Sequence, residues 1–147
     1  MTLNVGDHIP TFKKKDVYGN ELSSDHLIRK TVFFFFPKCE TPGCTQEACD
    51  FRDHFSSFAS ESIHVVGVSP EDHATQLAFK LKHNLSCNFL SDENGDLCRA
   101  FQVLKDGKFT RTTFIVNNKG IVEWVESPVN INAHVNRVLD QINNLPF

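Results

Sequence analysis

The amino-acid sequence predicts an α/β fold in which one central mixed β-sheet is flanked by helices, and three observations carry that expectation. Two short apolar runs, residues 31–36 (TVFFFF) and 63–69 (IHVVGVS), are continuous rather than alternating, as in strands covered on both faces. Each run gives way to helical spacing, and a strand-helix-strand crossover implies parallel pairing. Residues 112–116 and 121–125 flank Asn117-Asn118-Lys119-Gly120 and read as an antiparallel hairpin, which makes the sheet mixed. No repeat, low-complexity tract or linker divides the 147 residues, so one domain spanning 1–147 is expected.

The elements follow in chain order. Val5, Ile9 and Phe12, ahead of a Tyr18-Gly19-Asn20 turn, suggest an extended arm or small hairpin before the core, and 22–28 a short helical turn. The 31–36 run ends at Pro37. From Pro42 onward Ala48, Phe51, Phe55, Phe58 and Ala59 share one stripe, with Thr45, Gln46, Glu47, Asp50 and Arg52 largely elsewhere, so the spacing predicts a helix over 42–59. Pro42 suits the first turn, whose N–H groups have no intrahelical acceptor, and Thr41 is a plausible cap. A second helix is expected over 71–83, with Ala74, Leu77, Ala78 and Leu81 recurring at helical intervals. Phe89 and Leu90 begin a short strand before the Asp92-Glu93-Asn94-Gly95 turn, and 96–101 forms a short helix. The last helix directs Ile131, Val135, Val138, Leu139 and Ile142 inward.

Composition excludes several functional classes. The formal net charge is -3 with both signs interspersed, which leaves no footprint for nucleic acid or an anionic membrane. Small molecules or proteins are the expected partners. No stretch approaches a membrane span, and the start, MTLNVGDHIP, resembles no signal peptide, so the cytoplasm is the expected location. Five cysteines in such a chain argue against a structural disulfide framework, because cytosolic thiol pools keep them reduced. Cys39, Cys44 and Cys49 nevertheless fall within eleven residues.

Their position is chemically informative. The segment 37–49 joins the most buried strand to the first long helix, beyond the carboxyl end of a strand, where open α/β sheets hold their sites. Cys44 falls in the first helical turn, next to unpaired N–H groups and the positive end of the helix dipole. Both favour thiolate over thiol. The competing interpretation is a buried small hydrophobe. Cys49 is five positions further on, about 140° around and roughly 7.5 Å up the axis. An intact helix cannot bridge that pair, so a disulfide would require its first turns to unwind. Cys49 as plain helix filler is the alternative. Cys39, in the preceding loop, is a third nearby thiol, and Cys87 could take part only if its loop came near Cys44. Three cysteines at this spacing fit zinc poorly, no Cys-x-x-Cys motif is present, and His54, His73, His83 and His134 read as solvated or boundary residues.

The segments Phe36-Pro37-Lys38, Thr41-Pro42-Gly43-Cys44-Thr45, Glu47-Ala48-Cys49 and Phe51-Arg52-Asp53 closely resemble the peroxiredoxin family, in its bacterioferritin comigratory protein or peroxiredoxin Q group. Val68-Ser69, Leu90-Ser91-Asp92 and the 111–115 run (RTTFI) extend the likeness across nearly the whole chain. The resemblance implies a thioredoxin-like fold and a thiol-dependent peroxidase acting on hydrogen peroxide and organic hydroperoxides. It makes Cys44 the peroxidatic residue and Cys49 the resolving one, giving an intramolecular disulfide reduced by thioredoxin or a glutaredoxin-type donor. Thr41 would be the active-site hydroxyl, Arg111 the active-site arginine, and Pro42 a shield over the thiol. No cofactor or metal is implied, and a monomer is expected. Arg111 would place a permanent guanidinium beside Cys44 and donate to peroxide oxygens, with a structural salt bridge as the competing interpretation. A redox-controlled protein-binding module of the same fold, exposing Phe51 or Phe55 when the helix opens, is the competing function.

Overall fold

The elements, in chain order, are β1 (Lys13–Lys15), β2 (Glu21–Ser23), β3 (Thr31–Phe35), α1 (Pro42–Asp53), α2 (Phe55–Ser60), β4 (His64–Ser69), α3 (His73–Lys82), β5 (Asn88–Ser91), α4 (Asp96–Ala100), β6 (Leu104–Lys105), β7 (Lys108–Phe109), β8 (Thr112–Val116), β9 (Val122–Glu126) and α5 (His134–Asn144). They belong to a computed structural model that describes residues 2–27, 29–39, 41–60, 62–105 and 107–144. Five strands make the central sheet in the order β5-β4-β3-β8-β9. The β5, β4 and β3 strands run parallel, and β8 and β9 are antiparallel additions. The sheet is thus mixed, as the crossovers and hairpin require.

Every residue of β3 is buried because the sheet is covered on both sides. Successive side chains of a strand point to opposite faces, and the four consecutive phenylalanines divide accordingly. Phe34 and Phe36 join Ala48, Phe51, Phe58, Phe79, Val135, Val138 and Ile142, so α1, α2, α3 and α5 pack on that face. Phe33 and Phe35 join Leu3, Ile9, Phe12, Leu97, Cys98 and Phe101 on the other, under α4 and the N-terminal arm. Crossovers from β3 to β4 and from β4 to β5 step the same way across the sheet, which puts α1 and α3 on one side. Gly67 of β4 makes room between the rings: a Cβ there would lie 2.8 Å from atoms of Phe34 and Phe89.

Several expectations need correction. The helix expected over 42–59 breaks at His54, whose Nδ1 lies 2.9 Å from the Asp50 carbonyl. That oxygen can only accept, so Nδ1 donates and takes the acceptor that His54 N–H would use in a continuous helix. The N–H turns to Phe51 O instead, at 3.3 Å, and the chain restarts as α2. The break carries Phe55 and Ala59 off the buried stripe, leaving Phe55 44% exposed. No opening is needed to present it.

The helix expected over 71–83 starts at His73 under an Asp72 cap, and its inner face differs from the apolar recurrence. Ala74, Ala78 and Leu81 are exposed, while Gln76, Phe79 and Lys80 are buried. Gln76 donates to Ser69 Oγ and Leu90 O, and Lys80 Nζ donates to Leu85 O and Cys87 O. Hydrogen bonds satisfy the donor groups of both side chains and so favour their burial, although Gln76 Oε1 finds no partner among the described residues. Within 22–28, Leu22 belongs to β2 and Ser24–His26 forms a 3-10 turn, while Ile28 lies outside the described residues. Ile131 precedes α5, and the β6–β7 hairpin had no counterpart in the sequence reading.

Candidate active site

Strand register assembles the site. Phe35 at the end of β3 pairs with Thr112 at the start of β8, so Arg111 enters at the end of the sheet where Phe36 and Pro37 leave. Parallel β4 ends at the same level, which brings in Ser69 and Glu71. The chain then turns into α1, with Thr41 at its cap and Pro42 in its first position. Thr41 Oγ1 accepts from Cys44 N–H at 3.4 Å, and the hydroxyl donates to the Lys38 carbonyl at 3.1 Å.

Cys44 is only 1% exposed and sits in the aromatic cluster, so the sulfur is far more covered than a polar loop junction suggests. It is not isolated in hydrocarbon. Arg111 Nη2 donates to Cys44 Sγ at 3.3 Å, which sets a permanent cation and a directed N–H against the sulfur. Burial works against the Arg111 charge, but Glu47 and Cys44 more than offset it. Gly43 allows this approach, since a Cβ at that position would lie 3.2 Å from Nη2. The Arg111 carbonyl accepts from Val129 N–H at 2.8 Å and anchors the backbone that presents the guanidinium.

Glu47, expected largely off the inward stripe, has a side chain with no exposed area. Its Oε1 accepts from Arg111 Nη1 at 2.9 Å, so one guanidinium spans carboxyl and sulfur. Its Oε2 lies 3.4 Å from Nδ1 of His134, an imidazole buried against the Phe51 ring. Burial pushes the Glu47 carboxyl up to about 7, although Arg111 draws it down. Burial pushes His134 down to about 4, Glu126 opposing and Arg137 and Arg111 adding to the shift. The reading of His134 as a solvated or boundary residue is therefore wrong. A signal for Glu47 was available: it stands three residues after Cys44 and four before Phe51, on the inward stripe. Nothing local marked His134, because α5 is aligned with α1 only by the fold.

The remaining thiols differ in their surroundings. Cys49 lies on the unbroken α1, half-buried against the same cluster as Cys44, and no disulfide occurs among the described residues. Cys39 N–H is held by both Glu71 carboxylate oxygens at 2.8 and 3.1 Å; burial, then Glu71, push its thiol up. Cys87 precedes β5, whose Asn88 pairs with Val66, so it lies toward the end of the sheet where the parallel strands begin. It nonetheless belongs to the same apolar cluster as Cys44 and Cys49, close enough for the charges of Cys49 and Glu47 to act on it. Burial pushes its thiol up to about 12. Cys98 lies across the sheet in α4.

Beside the capped turn is a cleft of about 520 Å³, lined by Pro42, Gly43, Gln46 and Asp50 of α1 and by Ile131, Asn132 and Asn136 around the start of α5. Among the described residues no group of His, Cys, Asp and Glu is arranged to hold a metal ion, and no helix is long and apolar enough to cross a membrane.

Comparisons with known proteins agree on one relationship. The family model described as AhpC/TSA family matches residues 5–125. The Peroxiredoxin Bcp of Bacillus subtilis is 36% identical over 156 residues, covering 99% of this chain and 98% of the relative. The crystal structure of Peroxidoxin BcpB from Mycobacterium tuberculosis superposes with a TM-score of 0.91 at 30% identity, over 99% of both chains. A structure of the bacterioferritin comigratory protein of Xanthomonas campestris, described in terms of its alkyl peroxide reduction activity, has a TM-score of 0.86 at 27% identity over 90% of both chains.

Proposed function

The chain belongs to the AhpC/TSA family, as a peroxiredoxin of the Bcp and peroxiredoxin Q kind, and from that premise we propose that its peroxidase activity runs through Cys44. The observation that carries this assignment is the 3.3 Å contact between Arg111 Nη2 and Cys44 Sγ in the capped first turn of α1. The cation favours negative charge on sulfur and remains beside it as oxygen–oxygen cleavage begins.

In the proposed cycle, Cys44 sulfur attacks the nearer oxygen of hydrogen peroxide or an organic hydroperoxide. It becomes a sulfenic acid, and the leaving oxygen departs as water or an alcohol. Thr41 oxygen retains a lone pair that can accept from the peroxide O–H, while Arg111 donates to the peroxide oxygens. These groups meet charge that grows in the transition state, and so lower the barrier instead of merely binding substrate. Pro42, in the first position of α1, covers one side of the approach. The first turns then unwind, Cys49 attacks the sulfenic acid, and water leaves as the Cys44–Cys49 disulfide forms. Thioredoxin or a glutaredoxin-type donor restores the thiols through a mixed disulfide. The enzyme would then be an atypical 2-Cys peroxiredoxin, acting as a cytoplasmic monomer.

Rapid mixing tests the division of labour. Cys49→Ser should consume one equivalent of hydroperoxide at about the wild-type rate but turn over poorly with thioredoxin. Undiminished turnover would remove Cys49 from the resolving role.

A further inference from the structure

Glu47 lies between the two cysteines of the proposed disulfide, and its environment is unusual. The carboxyl is sealed, Oε1 is held by Arg111, and Oε2 has no hydrogen-bond partner among the described residues. Both imidazole nitrogens of the facing His134 are likewise without one. A buried carboxylate oxygen with nothing donating to it is costly, whereas the neutral carboxylic acid is tolerated. Unwinding residues 44–49 must pull this side chain out of its seat and into water.

We propose that Glu47, held by Arg111 and facing His134, is a positioning residue that latches the first turns of α1 over Cys44 and leaves its buried seat as the helix opens for Cys49. This inference rests on the reading of Cys49 as the resolving thiol. The step itself balances without another reactant: Cys44 sulfenic acid and Cys49 thiol give the disulfide and water, while Glu47 releases its proton to solvent.

The groups facing Glu47 set the sign. Arg111 from the segment before β8 favours its ionised form; Glu126 at the end of β9 and Asp50 on α1 oppose it, and Cys44 and Cys87 are further neighbours. His134 is neutral and supplies no charge; Arg111, Glu126 and Arg137 lie around it. Phe51, which stacks on the imidazole edge-to-face at 5.7 Å, lies beyond Cys49 in the part of α1 that need not unwind. It keeps His134 covered, so opening engages Glu47 alone. The closed carboxyl titrates near 7 and the opened one in the ordinary range near 4.5. The opened form therefore binds fewer protons between these values. Opening is favoured as pH rises through that window and levels off above it.

The test separates the steps by stopped flow after one equivalent of hydrogen peroxide, from pH 5 to 7.5. Mass mapping first establishes which disulfide forms. A pair other than Cys44–Cys49 overturns the resolving assignment, and the latch with it. With Cys44–Cys49 found, the resolving rate of wild type should climb at least about tenfold more over this range than that of Glu47→Gln, which cannot ionise. Titration of Cys49 itself is common to both and cancels in the ratio. A ratio that stays flat overturns the latch alone. His134→Asn gives an independent readout, because its amide offers Oε2 a donor and favours the closed carboxylate. The climb should move down by about one pH unit in that variant, and an unmoved profile overturns the proposal. Formation of the Cys44 sulfenic acid serves in each protein as the control for a folded site.

Discussion

Arg111 performs two tasks with one rigid group, holding Glu47 through Nη1 and Cys44 through Nη2. A planar fork can do this and a lysine ammonium cannot, since its charge is a point at the end of a flexible stem. The neighbour that makes room for the fork is Gly43. Substitution Gly43→Ala should improve the intrinsic helix preference of α1 by up to about 1 kcal/mol, yet crowd Nη2 at 3.2 Å. We therefore expect unchanged or raised thermal stability with a peroxide rate lowered about tenfold, since small misplacements of a reacting geometry are expensive. Measured together, melting temperature and second-order rate constant check this; a loss of stability in step with activity would deny Gly43 its role. The sequence marked Cys44, Thr41 and Arg111, but it marked Gly43 only as part of a motif. A glycine's value here is the space it leaves for a residue sixty-eight positions away, which local pattern does not encode.

Secondary-structure elements were legible where the pattern was uninterrupted. β3 was, because four consecutive phenylalanines can only be buried from both sides. The α1 start was, because Thr41, Pro42 and the stripe that begins at Ala48 and Phe51 agree. Its end was not, because a histidine side chain competing for the Asp50 carbonyl leaves no mark in hydrophobic spacing. α3 misled for the opposite reason: Ala74, Ala78 and Leu81 form a good apolar row that faces water. Hydrogen bonds fixed by the tertiary structure bury Gln76 and Lys80 instead. The floor beneath α1 and α3 is equally a matter of fit. Gly67→Ala would press a methyl group to 2.8 Å from the Phe34 and Phe89 rings. We expect a loss of about 1–3 kcal/mol by overpacking, read by urea denaturation; a loss below about 0.5 kcal/mol would mean that the aromatic layer yields freely.

Across the molecule, the alternation along β3 gives the sheet its two covered faces, and the β3–β8 register converts a distant arginine into a neighbour of the cysteine. The order of strands and helices was readable from periodicity and turn residues, so the mixed sheet was legible. That order brings the β3–α1 junction and the start of β8 to one sheet end. It also carries Cys98 across the sheet, and sets Cys87 toward the other end of it within the cluster that holds Cys44 and Cys49. What remained hidden was burial of titratable groups: Glu47 and His134 meet only when α5 packs on α1, and two polar residues eighty-seven positions apart offer no periodic signal. The core claim is that Cys44, alone of the five thiols, meets peroxide. The most direct measurement is peptide mass mapping of Cys49→Ser after one equivalent of hydrogen peroxide, with a sulfenic-acid trap present. The expected result is the trapped label on the peptide carrying Cys44 and none on those carrying Cys39, Cys87 or Cys98; a label distributed among them, or undiminished peroxide consumption by Cys44→Ser, would contradict it.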